Sequence, residues 1–371
     1  MPACLAKSMC LPVLVLAMLS PAYATSMLPA DANTSREPEQ LELMKRGYYI
    51  EQGGALKRLG APQQIGCRGF EIQAHRGDPR FGENGARAVL SAIASKYNGA
   101  EVDARQLRDG TWVFNHDAST GRTLNLPQGD VALTNLDLET WLTAKGRDRF
   151  GAPTNDNVYS ASQILFATSK TVVPGQTINI EIKGNRGLTC GTLGTLNAMA
   201  IKEMGQSYIS YSSLDGLPPL QCMRSHNPTA YLGLIQGPSQ AALEKWAAAN
   251  HAEELGNLRG RARLMAGARL ANKAFGTYKF PRWTSNSKLS ELRSSIGGDV
   301  GLHVEITDLL ADPGITARAH RAGIRKVLTY TLTDNRSHID GLKALKKMGQ
   351  LPDGAIVDST PIKTCKMLGL E

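Results

Sequence analysis

Short runs rich in β-branched and aromatic residues alternate with stretches of helical periodicity from Phe70 onward. This alternation is typical of βα units, whose strands lie parallel in one sheet. The chain offers nine strand candidates, one more than a closed eight-stranded barrel needs. The candidates cover residues 71–75, 100–104, 111–116, 177–183, 208–213, 229–235, 301–306, 326–332 and 354–358.

The second and third candidates are joined only by residues 105–110, with the sequence RQLRDG. This link is too short for a helical crossover, and its Asp-Gly pair favours a turn, so the two strands are predicted to form a hairpin-like elaboration. We therefore predict an α/β protein with a TIM-type (β/α)8 barrel over residues 67–371. A short N-terminal arm (25–66) precedes it, and an inserted helical segment interrupts it at about 237–300. Which strands close the barrel stays open.

The N-terminus has the features of a secretory signal peptide over residues 1–24. A lysine precedes an apolar stretch from Leu11 to Leu19, and the small-residue pattern that follows predicts cleavage after Ala24. The apolar stretch is too short to span a bilayer, and no later segment offers roughly 18 uninterrupted apolar residues. We expect an exported protein that is periplasmic or secreted.

Export would leave four cysteines in an oxidising compartment, and four cysteines allow three pairings. Cys67 with Cys365 is favoured, because these two residues flank the predicted barrel and the ends of a closed barrel lie close together. Cys190 would then pair with Cys222. The alternative is that one or more of the four are buried thiols.

The formal net charge is +9, and it becomes +8 without the predicted signal peptide, whose only charged side chain is Lys7. A basic surface suits an anionic substrate or a membrane face, and it can also lack a specific partner. No cluster of aromatic residues interleaves with basic ones, so nucleic-acid binding is not expected. The basic run of residues 258–273 is interpreted as a solvated helix face, with peripheral membrane contact as the alternative.

Polar residues that can bind a metal or a phosphate recur at the ends of the first four strand candidates. Strand residues two apart point the same way, and the carboxyl ends of parallel barrel strands converge at one mouth, where active sites lie. These polar pairs are therefore expected to face one another. They are His75 with Arg76, Glu101 with Asp103, His116 with Asp117, and Glu181 with Lys183.

Three of these side chains, Glu101, Asp103 and Glu181, would make an all-oxygen site. Such a site suits one hard divalent cation, Mg²⁺ or Ca²⁺, better than zinc. The apolar neighbours of the first two on a predicted central strand indicate burial, which is costly for unpaired carboxylates without a cation.

The remaining groups fit phosphodiester cleavage, which requires a neutralised phosphate, a deprotonated nucleophile and a protonated leaving group. Arg76 and Lys183 would contact the phosphate, and His75 and His116 would divide the acid and base work. Which imidazole is the acid stays open.

These motifs resemble, in order, those of the glycerophosphodiester phosphodiesterases, over roughly residues 70–362. Any one motif, such as HRG, would be weak support, but several uncommon motifs in one order are specific. The motifs are HRG, GEN, EVDARQLRDGTWVFNHD, TGRTL, NIEIKG, SYSSLD, TYTLTD and GAIVDSTP.

The resemblance implies a barrel that hydrolyses glycerophosphodiesters to glycerol 3-phosphate and an alcohol, with activated water or a substrate hydroxyl as the attacking group. It also implies the cation, catalytic and phosphate-binding roles given above. Glu83 matches the glutamate of the family's PENT motif, which is expected near the metal or the glycerol moiety. Gly82 and Gly85 depart from that motif, and Tyr330 stands where the family usually has tryptophan. These residues are expected at the pocket rim rather than among the metal and proton-transfer groups, so they are expected to bear on substrate choice more than on activity.

Two alternatives stay open. The same fold and metal could cleave a larger lipid headgroup, as in the related phospholipase D toxins, but the GEN segment argues against this. A barrel that binds phosphate ligands without turnover would be expected to lack a catalytic group, and none is missing.

Overall fold

The computed structural model describes the chain from residue 49, with gaps. The predicted signal peptide lies outside the described residues, and of the predicted arm only two short strands, β1 (Tyr49–Gln52) and β2 (Ala55–Arg58), and residues 65–66 are described. These two strands pair antiparallel. The described residues are 49–52, 55–58, 65–184, 188–214, 216–239, 242–243, 247–248, 251–275 and 282–371.

Eight parallel strands form a closed barrel, which confirms the predicted fold class. Each strand pairs with its neighbour around the ring, and pairing between the first and second closes it. In order around the barrel they are β3 (Glu71–Ala74), β4 (Gly99–Gln106), β9 (Thr177–Ile182), β10 (Ile209–Ser213), β11 (Leu232–Gln236), β12 (Val300–Glu305), β13 (Lys326–Leu332) and β14 (Gly354–Val357).

The third strand candidate, residues 111–116, lies outside the ring. Strand β5 (Trp112–Phe114) pairs antiparallel with the carboxyl end of β4, placing Phe114 opposite Ala104. The predicted hairpin-like elaboration is therefore confirmed. A small antiparallel sheet follows it, formed by β6 (Leu124–Asn125), β7 (Lys145–Arg147) and β8 (Pro153–Asn157).

Helices follow the barrel strands as the periodicity predicts. Helix α3 (Ala161–Ser169) begins with a capping box, in which the Ser160 side chain accepts from the Gln163 backbone N–H and the Gln163 side chain accepts from the Ser160 backbone N–H. The helices are α1 (Ala86–Ala94), α2 (Leu138–Thr143), α3 (Ala161–Ser169), α4 (Cys190–Met204), α5 (Leu217–His226), α6 (Ala252–Leu255), α7 (Gly260–Phe275), α8 (Asn286–Ile296), α9 (Ile306–Ala311), α10 (Ile315–Arg321), α11 (Arg336–Lys347) and α12 (Pro361–Leu368).

The segment between β11 and β12 contains α6, α7 and α8, and the basic run coincides largely with α7. Among the described residues, none of the helices combines the length and the apolar character needed to cross a membrane. The sequence's favoured disulfide pairing is confirmed. Cys67 pairs with Cys365 across a Cα–Cα distance of 5.2 Å, and Cys190 pairs with Cys222 across 5.4 Å.

The main apolar core contains alternate strand residues such as Ile72, Val102 and Ile180, together with helix residues. On the three strands that carry these residues the other face is polar, with Gln73, Glu101 and Asn179 buried. Asn179 of β9 donates to Gln73 of β3 over 3.1 Å, across the intervening β4, so this bond runs along the inner side of the barrel. The barrel interior therefore holds a hydrogen-bonded polar layer beneath the mouth at the strands' carboxyl ends.

His303 of β12 belongs to this interior and is fully buried. Its Nε2 lies 3.1 Å from the Tyr231 hydroxyl, and a side chain at Gly233 would collide with the ring. Burial, with a smaller contribution from Lys326, lowers the pKa of His303 to about 3. His303 is thus a structural, neutral imidazole.

This burial predicts a specific acid sensitivity. An unfolded histidine titrates near its ordinary pKa of about 6.5, so the unfolded chain binds the extra proton between pH 6.5 and 3. The free energy of unfolding should therefore fall on acidification in that range, by at most about 1.4 kcal/mol per pH unit from this residue. We expect urea titrations of His303→Gln to show a shallower loss than the wild type. Equal slopes would contradict the assignment.

Candidate active site

Three buried carboxylates lie together at the carboxyl ends of neighbouring strands. Glu101 and Asp103 project from the same face of β4, and the strand register places Asp103 opposite Glu181 of β9. One carboxylate oxygen from each of the three lies within 4.8 Å of the others. The alternation of strand side chains thus brings the predicted acidic residues into one cluster.

Within the described residues, Glu101 is the member of this cluster with a buried, unpartnered carboxylate oxygen. Its Oε1 is buried without a hydrogen-bond partner among the described residues. Burial first, and then the charges of Asp103 and Glu181, raise its pKa well above the ordinary value. An orphaned carboxylate oxygen beside two further carboxylates fits a hard divalent cation, whose preferred ligands are oxygens. The residues present therefore fit the implied metal.

Lys183 supplies fixed positive charge to the same cluster. Its Nζ lies 2.6 Å from Glu181 Oε1 and 3.0 Å from Asp103 Oδ1. Burial opposes both the ammonium and the carboxylate, but their mutual attraction outweighs it. The pKa of Lys183 is accordingly raised, and that of Asp103 is lowered with help from Arg76.

Arg76 joins the acidic cluster to Glu83. Its backbone N–H donates to Glu101 Oε2 over 3.0 Å, and its Nη1 donates to Glu83 Oε2 over 3.1 Å. Arg76 has a positive φ of 57°, as does Asn84 at 59°. These turns let Asn84 clamp Asp103, donating from Nδ2 to its Oδ2 over 2.7 Å and accepting from its backbone N–H over 2.9 Å.

The two predicted catalytic histidines each have an aspartate on Nδ1. His75 follows β3 and contacts Asp358 Oδ1 over 2.9 Å, just after the adjacent β14. His116 follows β5 and contacts Asp117 Oδ1 over 2.7 Å. No hydrogen bond to Nε2 of either ring is formed within the described part of the chain. An aspartate on Nδ1 fixes the ring and leaves Nε2 for proton exchange.

Three partners in this site were absent from the sequence-based set of site residues. Asn84, Asp358 and Arg122 all lie within or beside quoted motifs, GEN, GAIVDSTP and TGRTL. Their importance depends on contacts with residues distant in the chain. Arg122 bonds both Glu83 and Asp117 and so links the loops after β3 and β5.

Tyr330, which stands where the family usually has tryptophan, uses its hydroxyl in a hydrogen bond to the backbone. Its hydroxyl donates to the Gln236 backbone carbonyl over 2.6 Å. Burial raises the pKa of Tyr330 well above its ordinary value. The residue is therefore a neutral structural donor between β11 and β13.

Solved structures with the same fold come from several bacteria. One from Silicibacter pomeroyi, assigned as a glycerophosphoryl diester phosphodiesterase, has a TM-score of 0.58, 15% identity, and coverage of 89% of this chain and 96% of that chain. The structure of an Oleispira antarctica phosphodiesterase, in complex with the product sn-glycerol-3-phosphate, has a TM-score of 0.52 and 18% identity, and the match covers 81% of this chain and 96% of that chain. A glycerophosphodiester phosphodiesterase from Parabacteroides distasonis has a TM-score of 0.52 and 15% identity, and the match covers 82% of this chain and 98% of that chain. At these identities the likeness establishes the shared fold.

No curated protein sequence matches the chain significantly. The model of the glycerophosphoryl diester phosphodiesterase family matches residues 75–187. This range contains all the predicted site residues, from His75 to Lys183, and the resemblance inferred from the sequence is confirmed. By these residues and by its barrel, the chain is similar to the glycerophosphoryl diester phosphodiesterases, a family of phosphoric diester hydrolases.

Proposed function

We propose that this protein hydrolyses glycerophosphodiesters to glycerol 3-phosphate and an alcohol, using one divalent cation, Ca²⁺ or Mg²⁺. The observation that carries the proposal is the arrangement at the barrel mouth. Two histidines, each with its own aspartate, accompany an acidic cluster that also holds an arginine and a lysine. The presence of sn-glycerol-3-phosphate as product in the Oleispira antarctica phosphodiesterase supports the substrate class.

Glu101, Asp103 and Glu181 would hold the cation. When bound, it would supply positive charge against the phosphate oxygens. The protein's own cations would act on the same charge. Arg76 uses one side-chain N–H in a hydrogen bond to Glu83, which leaves further donors for phosphate oxygens.

The histidines would move the protons. In the overall hydrolysis one water is consumed: its oxygen forms a new P–O bond and loses a proton, the P–O bond to the alcohol breaks, and the leaving alkoxide takes a proton. One of His75 and His116 accepts the proton of the attacking group, and the other donates to the leaving oxygen. Asp358 and Asp117 hold the rings and stabilise the imidazolium that forms.

The test is release of glycerol 3-phosphate from glycerophosphocholine by the purified protein. Activity should disappear with a chelator and return when Ca²⁺ or Mg²⁺ is added back separately, which also identifies the cation. No release with either metal, from a folded sample, would contradict the proposal. Cleavage of a lipid headgroup instead would favour the phospholipase D-like alternative, and binding without turnover would favour the binding barrel.

A further inference from the structure

The Arg122 guanidinium makes four hydrogen bonds, all of them to carboxylate oxygens. Its Nη1 and Nη2 donate to the two oxygens of Glu83 over 2.7 and 2.6 Å. Its Nε and Nη2 donate to the two oxygens of Asp117 over 2.7 and 3.0 Å. One guanidinium therefore holds two carboxylates on two loops that approach the barrel mouth.

The number of donors limits what else Arg122 can bind. A guanidinium has five N–H donors, and four hydrogen bonds to carboxylates leave about one. The two carboxylates also balance its charge, since Arg122 lowers the pKa of Glu83 against the opposing effect of burial. Arg76 instead makes one side-chain hydrogen bond, to Glu83. Arg122 is thus poorly suited to clamp a phosphate and well suited to hold its carboxylate partners.

Asp117 transmits this constraint to His116. Its Oδ1 accepts from His116 Nδ1 over 2.7 Å and also from Arg122 Nη2, while its Oδ2 accepts from Arg122 Nε. The bond to His116 is the main reason that the pKa of Asp117 is lowered, and Arg122 adds to it. With both oxygens engaged, the carboxylate cannot rotate freely, so the imidazole that it orients is fixed as well.

The loop does not depend on the Arg122 side chain for its shape. Buried Asn115 donates to the Asp117 carbonyl over 2.8 Å and accepts from the Thr123 hydroxyl over 2.6 Å. These bonds close the turn on both sides of Arg122. Substitution of the guanidinium should therefore leave the loop folded while releasing Asp117.

We infer that Arg122 is a positioning residue, which orients His116 for proton transfer through Asp117 and ties this pair to Glu83. The inference rests on the proposed function for the catalytic role of His116. The orientation itself is a property of the folded chain and can be measured without turnover.

The kinetic test uses Arg122→Gln and Arg122→Lys, with Arg108→Gln as the matched control. Arg108 also makes an ion pair with an aspartate, Asp137, 2.5 Å from Nη2 to Oδ2, and neither residue belongs to the site described above. We expect Arg122→Gln to lower kcat by roughly 10- to 100-fold with KM changed by less than about threefold. Arg122→Lys should recover little of the lost kcat, because a lysine ammonium lacks the planar guanidinium that binds two carboxylates at once. Arg108→Gln should match the wild type.

A double-mutant cycle separates action through Asp117 from direct substrate contact. In an Asp117→Ala background, Arg122→Gln should cost less than about threefold further in kcat, because the intermediary is already absent. A full additional loss in that background, or a loss confined to KM, would overturn the positioning role. Unchanged kcat in Arg122→Gln would do so as well.

NMR of ¹⁵N-histidine-labelled protein provides the readout that is independent of activity. The His116 signal, assigned with His116→Gln, should show hydrogen fixed on Nδ1 in the wild type and in Arg108→Gln, and a mixture of tautomers in Arg122→Gln. An unchanged His116 tautomer in Arg122→Gln would refute the inference. If the wild type cleaves no diester but its His116 tautomer depends on Arg122, the proposed function fails and the positioning role stands.

Discussion

Replacing His75 with alanine is expected to lower kcat for glycerophosphodiester cleavage by two to four orders of magnitude. His75 is held by Asp358 at the mouth of the barrel, next in sequence to Arg76, whose backbone contacts Glu101. Its removal takes away one of the two groups proposed to exchange protons with the substrate. Initial rates of glycerol 3-phosphate release at saturating substrate and cation measure the effect.

His320→Ala is the matched control for this experiment. His320 also contacts an aspartate, with Nε2 lying 2.9 Å from Asp353 Oδ2. Asp353 precedes β14 whereas Asp358 follows it, so the two pairs lie at opposite ends of that strand. Near-normal turnover in a folded His75→Ala protein, comparable to that of His320→Ala, would remove His75 from the mechanism.

Much of the fold could be predicted from the sequence because each element carried a local signal. Alternating strands and helices specify a parallel sheet, and the short link between β4 and β5 excluded a crossover. What the sequence left open was which of nine strands stays outside the ring. The answer depends on the antiparallel pairing of Phe114 with Ala104 and on contact between β3 and β4, which are properties of the closed barrel.

In the candidate site, too, the residues on regular strands could be predicted and the contacts that depend on irregular turns could not. Glu101, Asp103 and Glu181 could be placed together because strand alternation and parallel register are regular. Asn84 and Arg122 could not, because their contacts depend on turns whose shapes are not periodic. The positive φ of Asn84 allows its amide to reach Asp103, and the turn after Asp117 brings Arg122 back to Glu83.

Glu101→Gln is expected to weaken Ca²⁺ or Mg²⁺ binding by at least roughly 100-fold, because it removes a negatively charged ligand from the centre of the acidic cluster. Titration calorimetry on the chelated and dialysed protein measures the affinity directly. Activity at limiting cation should fall with it and recover in part at high cation. Glu203→Gln is the control, because Glu203 is a largely buried acid whose hydrogen bond is to Ser162, outside the site.

Thermal or urea unfolding gives a second measure of the same site. A cation at about 100 times its Kd stabilises a protein by about 2.7 kcal/mol, so the wild type should gain about that much and Glu101→Gln much less. Without cation the order should reverse, because burial and the charges of Asp103 and Glu181 disfavour an ionised Glu101, whereas the amide carries no charge. Wild-type cation affinity in Glu101→Gln, or a wild type that gains no stability from either cation, would show that Lys183 and Arg76 alone balance the cluster.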